Sequence, residues 1–321
     1  MINKEKAMPI FAGMAYALLF GLTFMFISIA LRYTSPFLLL SIRFSIAFIV
    51  MSILVIFKIL KVNFKNKNLL PLILVGFMQP ILYFALETYA LKSIPSSIAG
   101  TISSLIPISV ALSSAYFLKE KPTKAQYGFI MTSIVGVVII VIFGATDNGS
   151  GSLVGILLLI GAILSQTAFT ILSRKFSVRY TPTETTYFMM GIGGFVFTII
   201  AFIECLIKRD LTAFITPFLH KEFIFTIIFL SIFASIMGFF LINYTLSKME
   251  AARVAVFENL CTIVSIIAGV VFLGENFKVY HVIGAILIIL GVWGTNHFTA
   301  SNHKIIEEKA INSTIREKNR D

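Results

Sequence analysis

The sequence predicts an all-α membrane protein of ten transmembrane helices, arranged as two inverted five-helix repeats. Three observations carry this. The 321-residue chain is 58% hydrophobic and 13% charged, with 32 Phe. Its apolar residues gather in ten charge-poor runs. The chain also repeats itself: Phe117-Leu118-Lys119-Glu120 returns 155 residues later as Phe272-Leu273-Gly274-Glu275.

The ten runs cover about residues 8–30, 36–57, 69–91, 95–118, 125–146, 152–173, 183–206, 223–246, 251–273 and 277–297. Each is long enough for a hydrocarbon core that takes roughly 20 helical residues. A lone strand leaves its backbone unpaired in lipid, and the runs lack the alternation of a barrel, so helices are expected. The first run is too long for a cleavable signal and lacks a small-residue cleavage site. It is expected to stay as helix 1.

At the 155-residue offset Leu86 maps to Leu241, Tyr89 to Tyr244, Leu91 to Leu246, Leu105 to Leu260, Ile108 to Ile263 and Gly136 to Gly291. The expected organisation is a first repeat at 1–145 (helices 1 to 5), a Gly/Ser-rich linker at 146–152, a second repeat at 153–298 (helices 6 to 10) and a cytoplasmic tail at 299–321. Five spans per repeat is an odd number, so the halves enter the membrane from opposite sides. That inversion places the solute path near mid-membrane, where the halves meet. The link from Ile207 to Glu222 is expected to hold a short amphipathic segment on the outer face.

The net charge of +11 is a topology signal. With the N-terminus inside, 19 of the 26 basic residues fall in inner segments, six in outer loops, and Arg43 within a span. The positive-inside rule then sets both termini in the cytoplasm of a bacterial cell. Lys65 would face inward and Gly149 outward. No nucleic-acid partner is implied; anionic lipid is the partner such a balance attracts. Cys205 and Cys261 lack metal-ligand spacing and read as packing residues. There is no P-loop, His/Cys cluster or Gly-x-Ser-x-Gly, so no enzyme, cofactor or metal site is expected.

Two five-helix halves, each with Phe-Leu-x-Glu closing its fourth helix and a Gly-bearing fifth helix, resemble the EamA-type members of the drug/metabolite transporter superfamily. Arg43-Phe44, Ser104-Leu105-Ile106-Pro107 and Asn259-Leu260 add to the resemblance, which runs from residue 8 to 297. It implies a membrane carrier. Relatives mostly export amino acids, metabolites or drugs, and some move nucleotide sugars. This chain departs from the pattern at Thr262, opposite Pro107 of the first half, and at Glu258.

An ionisable residue inside a span costs about 2.5–3.5 kcal/mol at a helix centre on insertion scales, so each one needs a reason. Arg43, Glu87 and Glu258 are such residues. Gln79, Tyr83 and Glu87 follow at i, i+4 and i+8 on one face of helix 3, beside a break expected at Pro80. That face is expected to line a cavity and to bind substrate or a proton. Arg43 and Glu87 both lie roughly 8–10 Å below the outer surface and are expected in contact, with Arg43 structural or gating.

Glu258 lies roughly 10 Å into helix 9, on a face shared with Ala251, Ala255, Thr262, Ser265 and Gly269. Its expected neighbours are helices 4 and 8. A carboxyl in a low-dielectric site can exchange protons near neutral pH. Gln166, Asn259 and Ser103 are the further binding candidates. Single Ser and Thr residues in spans more often bond their own backbone. Glu120 and Glu275 sit at helix ends and read as structural.

The sequence therefore reads as a secondary transporter, in the exporting direction, of a small organic solute such as an amino acid or metabolite. Proton coupling and a homo-oligomer are left open. The alternatives are a membrane enzyme acting on a lipid or isoprenoid intermediate, which would need clustered Asp, His or Lys, and a scaffold, which would not need polar faces turned inward.

Overall fold

The computed structural model describes residues 4–103, 105–117, 124–147, 153–249, 251–255, 257–274, 278–280, 282–287, 289–291 and 293–294. In chain order the helices are α1 (Lys4–Ala30), α2 (Pro36–Ile56), α3 (Leu70–Ala90), α4 (Ser96–Ser103), α5 (Ile106–Phe117), α6 (Lys124–Asp147), α7 (Leu153–Phe176), α8 (Pro182–Lys208), α9 (Lys221–Lys248), α10 (Ala251–Ala255), α11 (Glu258–Leu273) and α12 (Val282–Gly291). Six of them, α1, α2, α3, α7, α8 and α9, are each long and apolar enough to cross a membrane unaided. No strand occurs among the described residues. The link before α9, where a short amphipathic segment is expected, forms two short 3-10 turns, Thr212–Phe214 and Thr216–Leu219.

The main helix contacts are preserved on exchanging the halves. The second helices of the repeats, α2 and α8, cross each other. So do the fourth spans, with α4 on α11 and α5 on α10. Other large contacts come in mirrored pairs: α3 on α7 answers α9 on α1, and α11 on α1 answers α5 on α7. An inverted repeat requires this exchange symmetry. Small residues permit the crossings. A Cβ on Gly194 of α8 would lie 3.3 Å from the Phe44 backbone of α2, and one on Gly100 of α4 would run into the Ser265 side chain of α11. Between apolar helices in lipid, such close packing is the main source of association. Large side chains such as Phe11, Leu164 and Phe195 face outward, where lipid would cover them.

Four spans are not regular α-helices. Pro80 cannot donate a backbone bond, and it drives Gln79 to φ −148°, ψ 120°, inside a π-helical stretch at Phe77–Leu82. The equivalent span of the second repeat carries its own π stretch, Phe229–Gly238. The two fourth spans, expected as continuous helices, are each split at mid-length: α4 ends at Ser103 before α5 starts at Ile106, and α10 ends at Ala255 before α11 starts at Glu258.

Carbonyls beside these breaks accept from hydroxyls of the opposite repeat. Ser165 donates to Met78 O (2.6 Å), Thr262 to Gly100 O (3.1 Å) and Tyr16 to Val254 O (2.8 Å). Bonds of this kind fasten an irregular stretch of one repeat to the other.

The ends of the bundle are tied by polar contacts between the repeats. At one end Lys67 pairs with Glu184 at 2.7 Å, while Arg174 donates to Leu246 O at 2.7 Å within the second repeat. Glu184 also completes a capping box with Thr181, which starts α8 behind Pro182. At the other end Tyr33 donates to Glu222 at 2.5 Å and Ser35 to Glu204 at 3.2 Å. The Glu222 carboxylate, accepting that bond, raises the Tyr33 hydroxyl above the ordinary phenol value.

Candidate functional site

The interrupted spans converge on a central cavity between the repeats. It is lined by Arg43, Gln79, Tyr83, Glu87, Ser103, Gln166 and Glu258, with Phe20, Thr23, Phe24, Phe84, Ile106 and Cys261 completing the wall. Seven residues singled out from the sequence thus share one chamber, although they come from α2, α3, α4, α7 and α11. The side chain of Asn259 and all of Glu120 and Glu275 lie outside the described residues.

Arg43 is fully buried. Its Nε donates to Ser235 Oγ of α9 at 2.8 Å. Its guanidinium carbon lies 4.4 Å from the centroid of the Phe84 ring and 5.2 Å from that of Phe44. The rings hold the plane of the group, as cation–π contact favours. Both terminal nitrogens, Nη1 and Nη2, have no protein partner. Contact with Glu87, expected from matching depth, takes the form of a shared cavity and not an ion pair. Ion pairs do form elsewhere, as between Lys67 and Glu184 and between Lys208 and Glu204. Ser235 lies within reach because α2 packs on the π stretch of α9.

Glu87 accepts a bond from Tyr83 at Oε1, 2.7 Å long, while its Oε2 has no partner. That bond is the i, i+4 contact the sequence spacing anticipates. Gln79 and Gln166 each turn an unpaired amide oxygen inward. Glu258, 8% exposed, opens the first turn of α11 and lies in hydrogen-bonding reach of Gln166 and Cys261. Its helix packs on α1 and α4, so α1 replaces the expected eighth span as neighbour. Ser103 spends its hydroxyl on Ala99 O at 2.9 Å, and Thr167 and Thr170 likewise bond their own helix.

The chamber is narrow: a water-sized sphere finds about 30 Å³ in it. That is room for about two waters. Larger clefts lie toward each end. One of about 1110 Å³ is lined by Ser113, Thr167, Arg174, Lys175 and Ser247 among others, and one of about 420 Å³ by Tyr33, Ser35, Glu204 and Lys208 among others. The polar chamber thus lies with larger clefts on either side of it. Among the described residues no group of three His, Cys, Asp or Glu could hold a metal ion.

Sequence reasoning missed the whole contribution of α1. Phe20, Thr23 and Phe24 lie on one face, but nothing in an apolar run marks which face looks inward. Cys261 was assigned to packing alone, and it also lines the chamber.

Inverted repeats, broken helices and a buried polar chamber define a membrane transporter. The chain belongs to the EamA-like transporter family, whose profile matches it twice, at residues 7–142 and 153–296. It is 35% identical over 296 residues to an uncharacterized transporter, YcxC, of Bacillus subtilis, covering 92% of this chain and 95% of that one. An uncharacterized transporter of Archaeoglobus fulgidus is 28% identical over 85% of this chain and 93% of its own length. A Salmonella typhimurium protein described as a probable amino-acid metabolite efflux pump is 24% identical, over 88% of this chain and 93% of its own. One solved crystal structure, 17% identical, superposes with a TM-score of 0.67 over 92% of this chain and 98% of that one, which is likeness of fold.

Proposed function

We propose that the protein exports a small organic solute bearing both a carboxylate and an amino group, an amino acid or related metabolite, by alternating access of its two repeats. The observation that carries this is the buried Arg43, with two unpartnered nitrogens, in one chamber with the unpartnered Oε2 of Glu87 and with Glu258. A charged group left unsatisfied in low dielectric costs about 1–3 kcal/mol or more, so such an arrangement persists where a ligand completes it. The solute carboxylate accepts from Arg43, its ammonium donates to Glu87 and Glu258, and the description of the Salmonella relative agrees with that chemistry. The chamber must widen for the solute to enter, and the π stretches and split helices are where the bundle can yield.

The test is counterflow into liposomes carrying the purified protein. Amino acids should exchange, whereas matched amines and carboxylic acids that lack one group should not. Equal movement of the single-group analogues would sink the reading. The orientation we propose puts the end bearing Lys67, Arg174 and Tyr180 in the cytoplasm, on the charge bias of the loops. A cysteine at Lys65 should then resist impermeant reagents in intact cells, and labelling there would reverse the orientation.

A further inference from the structure

The sequence carries a second, shorter repeat with its own offset. Arg32-Tyr33-Thr34 joins α1 to α2, and Arg179-Tyr180-Thr181 joins α7 to α8. Each precedes the proline that opens the second helix of its repeat, Pro36 or Pro182. Inversion of the halves sends the two tyrosines to opposite ends of the bundle.

Each tyrosine then makes the same kind of bond. Tyr33 donates to Glu222 Oε2 at 2.5 Å, at the start of α9. Tyr180 donates to the carbonyl of Asn68, just before α3. Helices α3 and α9 are repeat mates, and Lys67 and Glu222 stand 155 residues apart. The surroundings correspond too. The Lys67 Nζ lies 5.7 Å from the centroid of the Tyr180 ring, and the Phe223 ring centroid lies 6.4 Å from that of Tyr33. Both bonds cross the boundary between the repeats, and both are formed while the central chamber is narrow.

We infer that Tyr33 and Tyr180 are a matched pair of latches, one at each end of the solute path, and that each must release before its end can open. The inference rests on the alternating-access reading. If the repeats rock, contacts between them at one end part while those at the other hold. A bond that ties the first loop of one repeat to the third helix of the other lies across that movement. The latches differ in strength. Tyr180 is 4% exposed and is backed by the Lys67–Glu184 ion pair and the Asn63 N–H bond to Glu184. The Tyr33 bond is exposed to solvent. Water competes for an exposed bond, so the Tyr33 end releases the more readily.

The two native cysteines supply the readout. Cys261 lines the chamber, and Cys205→Ser leaves it the one thiol of the full chain. Its labelling by an impermeant maleimide would be timed in right-side-out and inside-out membrane vesicles. Tyr33→Phe should speed labelling roughly two- to tenfold, the range expected for one lost hydrogen bond, from the face that carries the α1–α2 loop. Tyr180→Phe should do so from the opposite face. Glu222→Ala should reproduce Tyr33→Phe, and the two together should add nothing further, since both remove the same bond.

Unchanged labelling from both faces, or faster labelling from one and the same face in both tyrosine variants, overturns the inference. If Tyr180→Phe does not reach the membrane, the Glu222→Ala arm decides alone, because it must act from the Tyr33 face only. Labelling requires no solute. Its failure therefore leaves the transport reading standing, and silent counterflow with the expected labelling pattern would sink the solute assignment instead.

Discussion

Arg43→Lys is expected to lower solute exchange by roughly 10- to 100-fold with normal insertion and folding, the loss of about one charge-assisted hydrogen bond at 1.5–3 kcal/mol. Lysine keeps the positive charge, so the electrostatic balance of the chamber is preserved. It does not keep the shape. The guanidinium lies 4.4 Å from the Phe84 centroid with Nε bonded to Ser235 at 2.8 Å, which leaves its far edge, Nη1 and Nη2, turned to the cavity. An ammonium offers no plane to the rings and no second edge to a carboxylate. The measurement is initial counterflow rate in liposomes at matched protein content. Wild-type exchange by the lysine variant would make Arg43 a structural charge that any cation can supply.

The comparison with the sequence divides along what periodicity can carry. Spacing alone places Gln79, Tyr83 and Glu87 on one face, and the Tyr83–Glu87 bond of 2.7 Å is the direct expression of an i, i+4 pair. Pro80 announces its own break, because a proline can neither donate nor tolerate a helical residue before it. The matching distortion at Phe229–Gly238 has no such mark: the repeat mate of Pro80 is Ser235, which permits a helix and is bent here by what packs on it. Pro107 could have warned of the split between α4 and α5, but nothing of that kind precedes α11. Depth along a helix sets Arg43 and Glu87 at one level, and both line the chamber, yet level does not decide a partner. The approach of α9 and two aromatic rings does, and those are contacts between distant parts of the chain. The same limit explains why α1 was not recognised as a wall of the chamber. An apolar run shows that a helix is in the membrane, and it is silent on which of its faces meets the other half.

Glu258→Gln is expected to abolish solute accumulation driven by a proton gradient while solute exchange without a gradient survives at a reduced rate. The chamber holds one fixed positive charge, Arg43, and two carboxyls, Glu87 and Glu258. With both carboxyls ionised it carries a net negative charge away from water, a costly state; one proton makes it neutral. Glu87 is already fixed by Tyr83 of its own helix, whereas Glu258 stands at the start of α11, directly after the break in its span. A group at a break is moved when the half-helices shift, so Glu258 is the better placed of the two to take a proton in one conformation and surrender it in the other. Glutamine keeps the size and can still accept a hydrogen bond from a neighbour such as Gln166 but cannot ionise. Accumulation and exchange are measured separately, the first with an imposed pH gradient and the second with solute on both sides. Exchange intact and accumulation lost is the signature of a coupling residue. Full gradient-driven accumulation in the Gln variant, at wild-type protein levels, would reduce Glu258 to a packing bond between α11 and its neighbours and would leave Glu87 as the remaining place for the proton.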